Sequence, residues 1–407
     1  MTSDSQPTKG TLGMFAAIPR RVKFLIYLTI PALLGIGYYI VVITAYLPEI
    51  GVKASYVGLI LGAFSISMIV ASIPFGILAD TKGRKKLIVF ALGAIPIPFL
   101  IYGLTINVTV LLMAGLLTGL IEAAFLTCWN ALIADMTTLE TRNAAFSLSF
   151  IVNNVAFGIG FALPFAFPSV HNITGWTTSS IHTGTFLVFA ALSVASPIMA
   201  LRVLKDYQET KRERQRFVRG ESMGIIIKFS SINSLIGLGA GFIIPLIPTW
   251  LFLKFAIPDT YSGPLLGVSS VLMAASAIAS AKLANRYGNV NAIVLTQGSS
   301  TIFMFALAFS NNATAAAGLY LIRAALMNMS SPVSDSYIMS IISEKERGIA
   351  SAINGITWRL PNSVSTIVGG VLLAQKSFDL PFFIATAFYV VAIILFYAVF
   401  KDIKPRG

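Results

Sequence analysis

The chain has 407 residues, of which 56% are hydrophobic and only 11% charged, and its formal net charge is +13. Soluble globular proteins carry roughly 25% charged residues, so a water-solvated domain is excluded as the main body of this chain. The single cysteine, Cys128, excludes an intrachain disulfide and a thiolate metal site. No metal and no cofactor is expected.

Apolar runs of about 20 residues recur, each long enough to cross roughly 30 Å of hydrocarbon as a helix. Nothing alternates for long in the manner of barrel strands. The first 23 residues begin polar and carry Lys9, Arg20, Arg21 and Lys23; the apolar run that follows is too long for a signal-peptide core and reads as a first span. Spans are predicted at 24–48, 55–79, 86–106, 109–134, 144–168 and 183–203, then at 223–252, 261–284, 289–309, 313–342, 349–374 and 380–400. Between the two sets lies KDYQETKRERQRFVRGES, the longest polar stretch in the chain. The predicted organisation is an N-terminal tail (1–23), a six-helix bundle (24–203), a linker (204–222), a second six-helix bundle (223–400) and a C-terminal tail (401–407).

Positive residues are retained on the cytoplasmic side of a membrane. Of the 29 Lys and Arg, only Lys53, Lys254 and Lys376 fall in one set of alternate connections, and Lys228, Arg323 and Arg359 fall inside spans. All the others lie at the opposite end, together with both termini. The sequence therefore predicts a multi-pass protein of the cell membrane with cytoplasmic termini. The basic balance is accounted for by the lipid bilayer, so no nucleic-acid partner is expected.

The two halves resemble each other at one offset of 205 residues. Tyr56, Gly58, Leu61 and Gly62 recur as Tyr261, Gly263, Leu266 and Gly267; Ala79 and Gly83 recur as Ala284 and Gly288; Arg142 recurs as Arg347. A duplication related by a pseudo-twofold axis along the membrane normal explains this.

The connection after the second span reads GILADTKGRKK, from Gly76 to Lys86. It resembles the signature loop between helices two and three of the major facilitator superfamily, and the six-plus-six layout extends the resemblance over the whole chain. The resemblance implies an all-α membrane fold of twelve transmembrane helices in two pseudo-symmetric six-helix bundles, working by alternating access as a monomer. Within the motif, Gly76 allows close helix packing, Asp80 faces the N-terminal end of the eleventh helix, and Gly83 permits the turn. Arg84 reaches toward Asp135 at the end of the fourth helix. The family pattern implies that these residues form a gating latch between the halves. The degenerate second copy has Asn285 in place of the aspartate, so only the first copy is expected to gate.

Ionisable groups inside spans cost about 3 kcal/mol on insertion scales, so each is a functional candidate. Glu122 lies in the middle of the fourth span and Arg323 in the outer half of the tenth, at nearly equivalent depths. In the family, helices one, four, seven and ten line the central cavity, so Glu122 and Arg323 are expected to face one another. Glu122 is assigned proton coupling or, alternatively, a permanent structural pair. Asp335 and Arg359 form a second conceivable pair. Substrate-contact candidates are Arg323, Arg359, Asn154, Asn328, Trp358, Tyr38 and Tyr39. His171 and His182 are placed in an external connection at 169–182, a poor metal site.

Two family marks are missing. Gly115 stands where the fourth helix often carries arginine, and the antiporter signature of the fifth helix is not met. The leading expectation is proton-coupled transport of a small organic solute. Multidrug efflux by proton antiport and a non-transporting solute receptor with the same fold stand as alternatives, and no catalytic residues are expected.

Overall fold

In the computed structural model, residues 15–208, 220–343 and 346–403 are described, apart from the side chains of Asp80, Leu139, Asn143, Ala274, Ala277, Ile278 and Ala281. Most of each predicted tail and linker, and the Asp80 carboxylate, therefore lie outside what is described.

The described residues fold into helices without strands. Twelve long units follow in chain order: α1 (Arg20–Glu49), α2 (Ala54–Lys82), α3 (Arg84–Leu104), α4 (Val108–Asp135), α5 (Leu139–Ala162, continued through a 3-10 turn to Phe167–Thr174) and α6 (Thr178–Val203). After the linker come α7 (Met223–Phe255), α8 (Asp259–Tyr287), α9 (Asn289–Ala308), α10 (Ala313–Ile341), α11 (Arg347–Ala374) and α12 (Leu380–Phe400). Nine of these are long and apolar enough to cross a membrane; α8, α10 and α11 are more polar. The polar residues of α10 and α11 turn inward, as shown below.

Local chemistry sets the boundaries. Asn107 caps α4 by accepting from the N–H groups of Thr109 and Val110, and Asn312 caps α10 by accepting from Thr314 and Ala315. Such caps satisfy backbone donors that a helix start leaves orphaned. Gly83 ends α2 at φ 98° and Gly288 ends α8 at φ 80°, a region that L side chains avoid. Apolar side chains such as Val70, Leu104, Phe150 and Ile302 point outward. Patches of this kind suit a lipid solvent and would be a liability in water.

The end carrying the described edges of the chain and the 80–86 connection is called the basic end, and the other the far end. Among the strongest packings are α2 on α4, α7 on α11, α9 on α10 and α1 on α5. Two seams join the first six helices to the last six, α2 with α11 and α5 with α8. Both seams are tight near the far end. A Cβ on Gly58 would meet the Thr366 carbonyl, and one on Gly263 would meet that of Phe161; a Cβ on Gly62 would meet the Ser363 carbonyl at 3.2 Å, and one on Gly267 that of Gly158 at 2.9 Å. Each contact is the other shifted by 205 residues, so the duplication seen in the sequence is a symmetry of the packing.

The packing role expected of Gly76 is not found. A Cβ there would meet only Thr127, at an ordinary 3.8 Å. In this conformation α2 is closely held at its far-end half and stands clear of its neighbours near Gly76.

Candidate functional site

A large cavity among the described residues, 480 Å³, lies in the last six helices and spans mid-depth, from Ile244 of α7 and Tyr320 of α10 on the far side to Asp335 on the basic side. One face of α10 supplies Tyr320, Arg323, Met327, Asn328, Ser331 and Asp335 at helical spacing, and α11 supplies Asn354, Trp358, Arg359 and Asn362. Asn233 of α7 donates to the Asn354 carboxamide oxygen at 2.8 Å, and Gln297 of α9 to Ser330 at 3.1 Å. A second cavity of 290 Å³ lies between the halves, bounded by Met68 and Ser72 of α2, Thr127 of α4, and Gly355 and Arg359 of α11. Arg359 lines both.

Arg323, Arg359, Asn328 and Trp358 therefore line the large cavity, but Asn154, Tyr38 and Tyr39 do not. Asn154 donates to the Phe150 carbonyl of its own helix at 2.9 Å. Tyr39 is fully buried and stacks on Tyr102 at 4.5 Å. The first six helices turn both tyrosines into their own core.

The expected facing of Glu122 and Arg323 is also not found. The charge that acts on Glu122 is that of Arg359. Arg323 instead donates to the Tyr389 hydroxyl of α12 at 2.6 Å, with its guanidinium beside that ring. Equal depth in the sequence fixes height along the helix axis but not the direction a side chain takes around it. Asp335 lines the large cavity without joining Arg359 in any contact ion pair among the described residues. Glu122 of α4 lines a small pocket with residues of α1 and α3 and makes no contact ion pair among the described residues; Arg359 of α11 acts on it only through space.

Arg84 and Asp135 do form an ion pair, both nearly buried. Tyr207, just past α6, donates to the same Asp135 oxygen at 2.8 Å. Burial, together with the Asp135 carboxylate, pushes the Tyr207 phenol up to about 12. This pair, as expected, ties α3 to α4 inside one half; the cross-half member of the expected latch, the Asp80 side chain, lies outside the described residues.

The contacts between halves lie at the far end and were missed by sequence reasoning. His182 is not in a loop; it sits in the first turns of α6, 3% exposed. Its Nε2 lies 3.1 Å from the Asp259 carboxylate at the start of α8, and its Nδ1 is 2.5 Å from the Tyr38 hydroxyl. The Tyr46 ring stacks on the imidazole at 3.7 Å, and the Asp259 N–H donates to the Glu49 carboxylate. Thr249 of α7 donates to the Thr44 carbonyl of α1 at 2.5 Å; these residues are also 205 apart. A usable signal existed: Asp259 directly follows Pro258 at a predicted span start, where a carboxylate favours a helix N-terminus.

A family model described as Major Facilitator Superfamily matches residues 25–322 and 229–407. Multidrug resistance protein 2 of Bacillus subtilis (strain 168) is 31% identical over 174 residues, 40% of this chain and 42% of that protein, less than half its length. Multidrug resistance protein 1 of the same strain is 23% identical over 380 residues, 89% of this chain and 92% of that protein. Among solved structures, a bacterial homologue of the human lysosomal transporter Spinster, in an inward-facing and occupied conformation, superposes with a TM-score of 0.73 at 16% identity, covering 96% of this chain and 100% of that one. The tight seams related by one offset, the helix layout and the match along nearly the whole chain lead to one conclusion: this is a multi-pass membrane protein that belongs to the Major Facilitator Superfamily.

Proposed function

We propose that this protein is a secondary transporter that carries a small organic solute across the cell membrane by alternating access, as a monomer with both termini in the cytoplasm. The observation that carries this is the asymmetry along the seams. The far end is held by glycine-mediated contacts and by the buried His182–Asp259 pair, while the cavity between the halves lies toward the basic end. That is the form expected of a transporter open to the side where its positive residues face.

Proton coupling is assigned to Glu122. A carboxyl group buried between membrane helices, within electrostatic reach of an arginine of the other half, changes its proton affinity when the halves move apart. The pair therefore connects protonation to conformation without direct solute contact. Protein reconstituted into vesicles with an imposed pH gradient, offered amino acids, sugars, organic acids and cationic drugs, tests both parts. Accumulation or extrusion of one class supports transport. Failure across the panel, with the fold intact, favours the receptor reading.

Efflux of drug-like solutes by proton antiport is a second reading. The two multidrug resistance proteins among the relatives favour it. The polar lining of the large cavity favours a solute with hydrogen-bonding groups.

A further inference from the structure

Arg323 is 4% exposed and lines the 480 Å³ cavity, yet its hydrogen bonding is incomplete. One guanidinium nitrogen, Nη2, donates to the Tyr389 hydroxyl at 2.6 Å, while Nε is buried with no acceptor. Among the described residues no carboxylate forms an ion pair with it. Asp335 is on the same helix, but twelve residues toward the basic end, about 18 Å away at 1.5 Å per residue. On the other arginine of the cavity, Arg359, the charge of Glu122 acts through space.

A buried guanidinium with a free N–H is costly unless an acceptor arrives. Its planar fork matches the two oxygens of a carboxylate or a phosphate, and the bond is strengthened by the charge on both sides. Around it, Tyr320, Ile236, Ala240, Met327 and Trp358 offer an apolar and aromatic wall, while the carboxamides of Asn328 and Asn354 stand nearer the basic end.

We propose that this cavity takes a solute with an anionic head, a carboxylate or a phosphate, which docks on the Arg323 guanidinium while its apolar body packs between α7, α10 and α11. This deepens the transport reading and rests on it. It also sets this protein apart from a carrier of lipophilic cations, for which a buried, unneutralised arginine is repulsive.

Purified full-length protein is melted, and its tryptophan fluorescence followed, in the presence of benzoate, phenyl phosphate or tetraphenylphosphonium. One of the two anions is expected to raise the melting temperature and quench fluorescence; which of them does so identifies the head group. Arg323→Gln should raise the half-saturating concentration at least about tenfold. If that variant does not fold, Arg323→Lys, which keeps the charge and loses the fork, should show an intermediate loss. Protection by tetraphenylphosphonium alone, protection by none of the three, or anion protection undiminished in the folded variants overturns the proposal. None of these results touches the transport reading, which is judged by movement of the two ends and by solute flux.

Discussion

Glu122 and Arg359 sit on α4 and α11, helices from opposite halves, so a change at either side chain reports on the relation between halves. Replacing Glu122 with Gln keeps the shape and removes the titration. Flux driven by a pH gradient in reconstituted vesicles is expected to fall at least about tenfold, whereas solute counterflow, which needs no net proton movement, is retained. Unchanged gradient-driven flux would remove Glu122 from the coupling role. Gly83 makes a different prediction. At φ 98° an added Cβ is strained, so Gly83→Ala should cost roughly 1–3 kcal/mol, read as a lower melting temperature. Gly76→Ala meets only an ordinary contact in this conformation and should be neutral or slightly stabilising, by up to about 1 kcal/mol. At this scale the sequence was legible for residue type and depth but not for direction. Glu122, Arg323 and Arg359 were identified as unusual because charge inside an apolar run is visible in any sequence. Their partners were not, because the angle of a side chain about its helix depends on packing that only the folded chain defines.

Among the elements, the far-end contacts of α1, α6, α7 and α8 join the halves at the end opposite the 76–86 loop. His182 and Asp259 tie α6 to α8 in a buried pair, and removing one partner leaves the other charge or dipole uncompensated. Asp259→Ala is expected to loosen the far end. A cysteine placed at Thr249, on a Cys128→Ser background, should then react with a membrane-impermeant thiol reagent several-fold faster than in the parent; equal rates would show that the pair does not hold this end shut. By contrast, Arg84→Ala should act as a stability variant. It removes the cation beside the buried Asp135 carboxylate, at a cost on the order of 3–5 kcal/mol, and its melting loss should exceed any change in which end is open. The helix ends themselves were legible to within a few residues almost everywhere, since proline, glycine and asparagine punctuate them. The exceptions are α6, predicted to start at 183 but beginning at Thr178, and α5, predicted to stop near residue 168 but continuing to Thr174. The turn at Leu163–Ala166 with Pro164 bends the helix without ending it, and the polar residues beyond it hid the continuation.

For the whole molecule, the offset of 205 residues governs both sequence and packing. It relates Gly58 and Thr366 to Gly263 and Phe161, Thr44 to Thr249, and the Arg142 bond to the Ala134 carbonyl with the Arg347 bond to the Met339 carbonyl, each 3.1 Å. The fold was legible because hydropathy, charge asymmetry and repetition are properties of long stretches and tolerate local error. The cavity was only half legible because the two halves, similar in backbone, have diverged in the polar residues that face inward. Alternating access requires the seams to open in turn. The most direct test places paired spin labels across the α2–α11 seam, at Lys82 with Gly348 near the basic end and at Tyr56 with Gln375 near the far end, and measures both distances while pH and solute are varied. The account predicts reciprocal shifts, the basic-end distance shortening as the far-end distance lengthens; two distances that stay fixed, or that lengthen together, would contradict it.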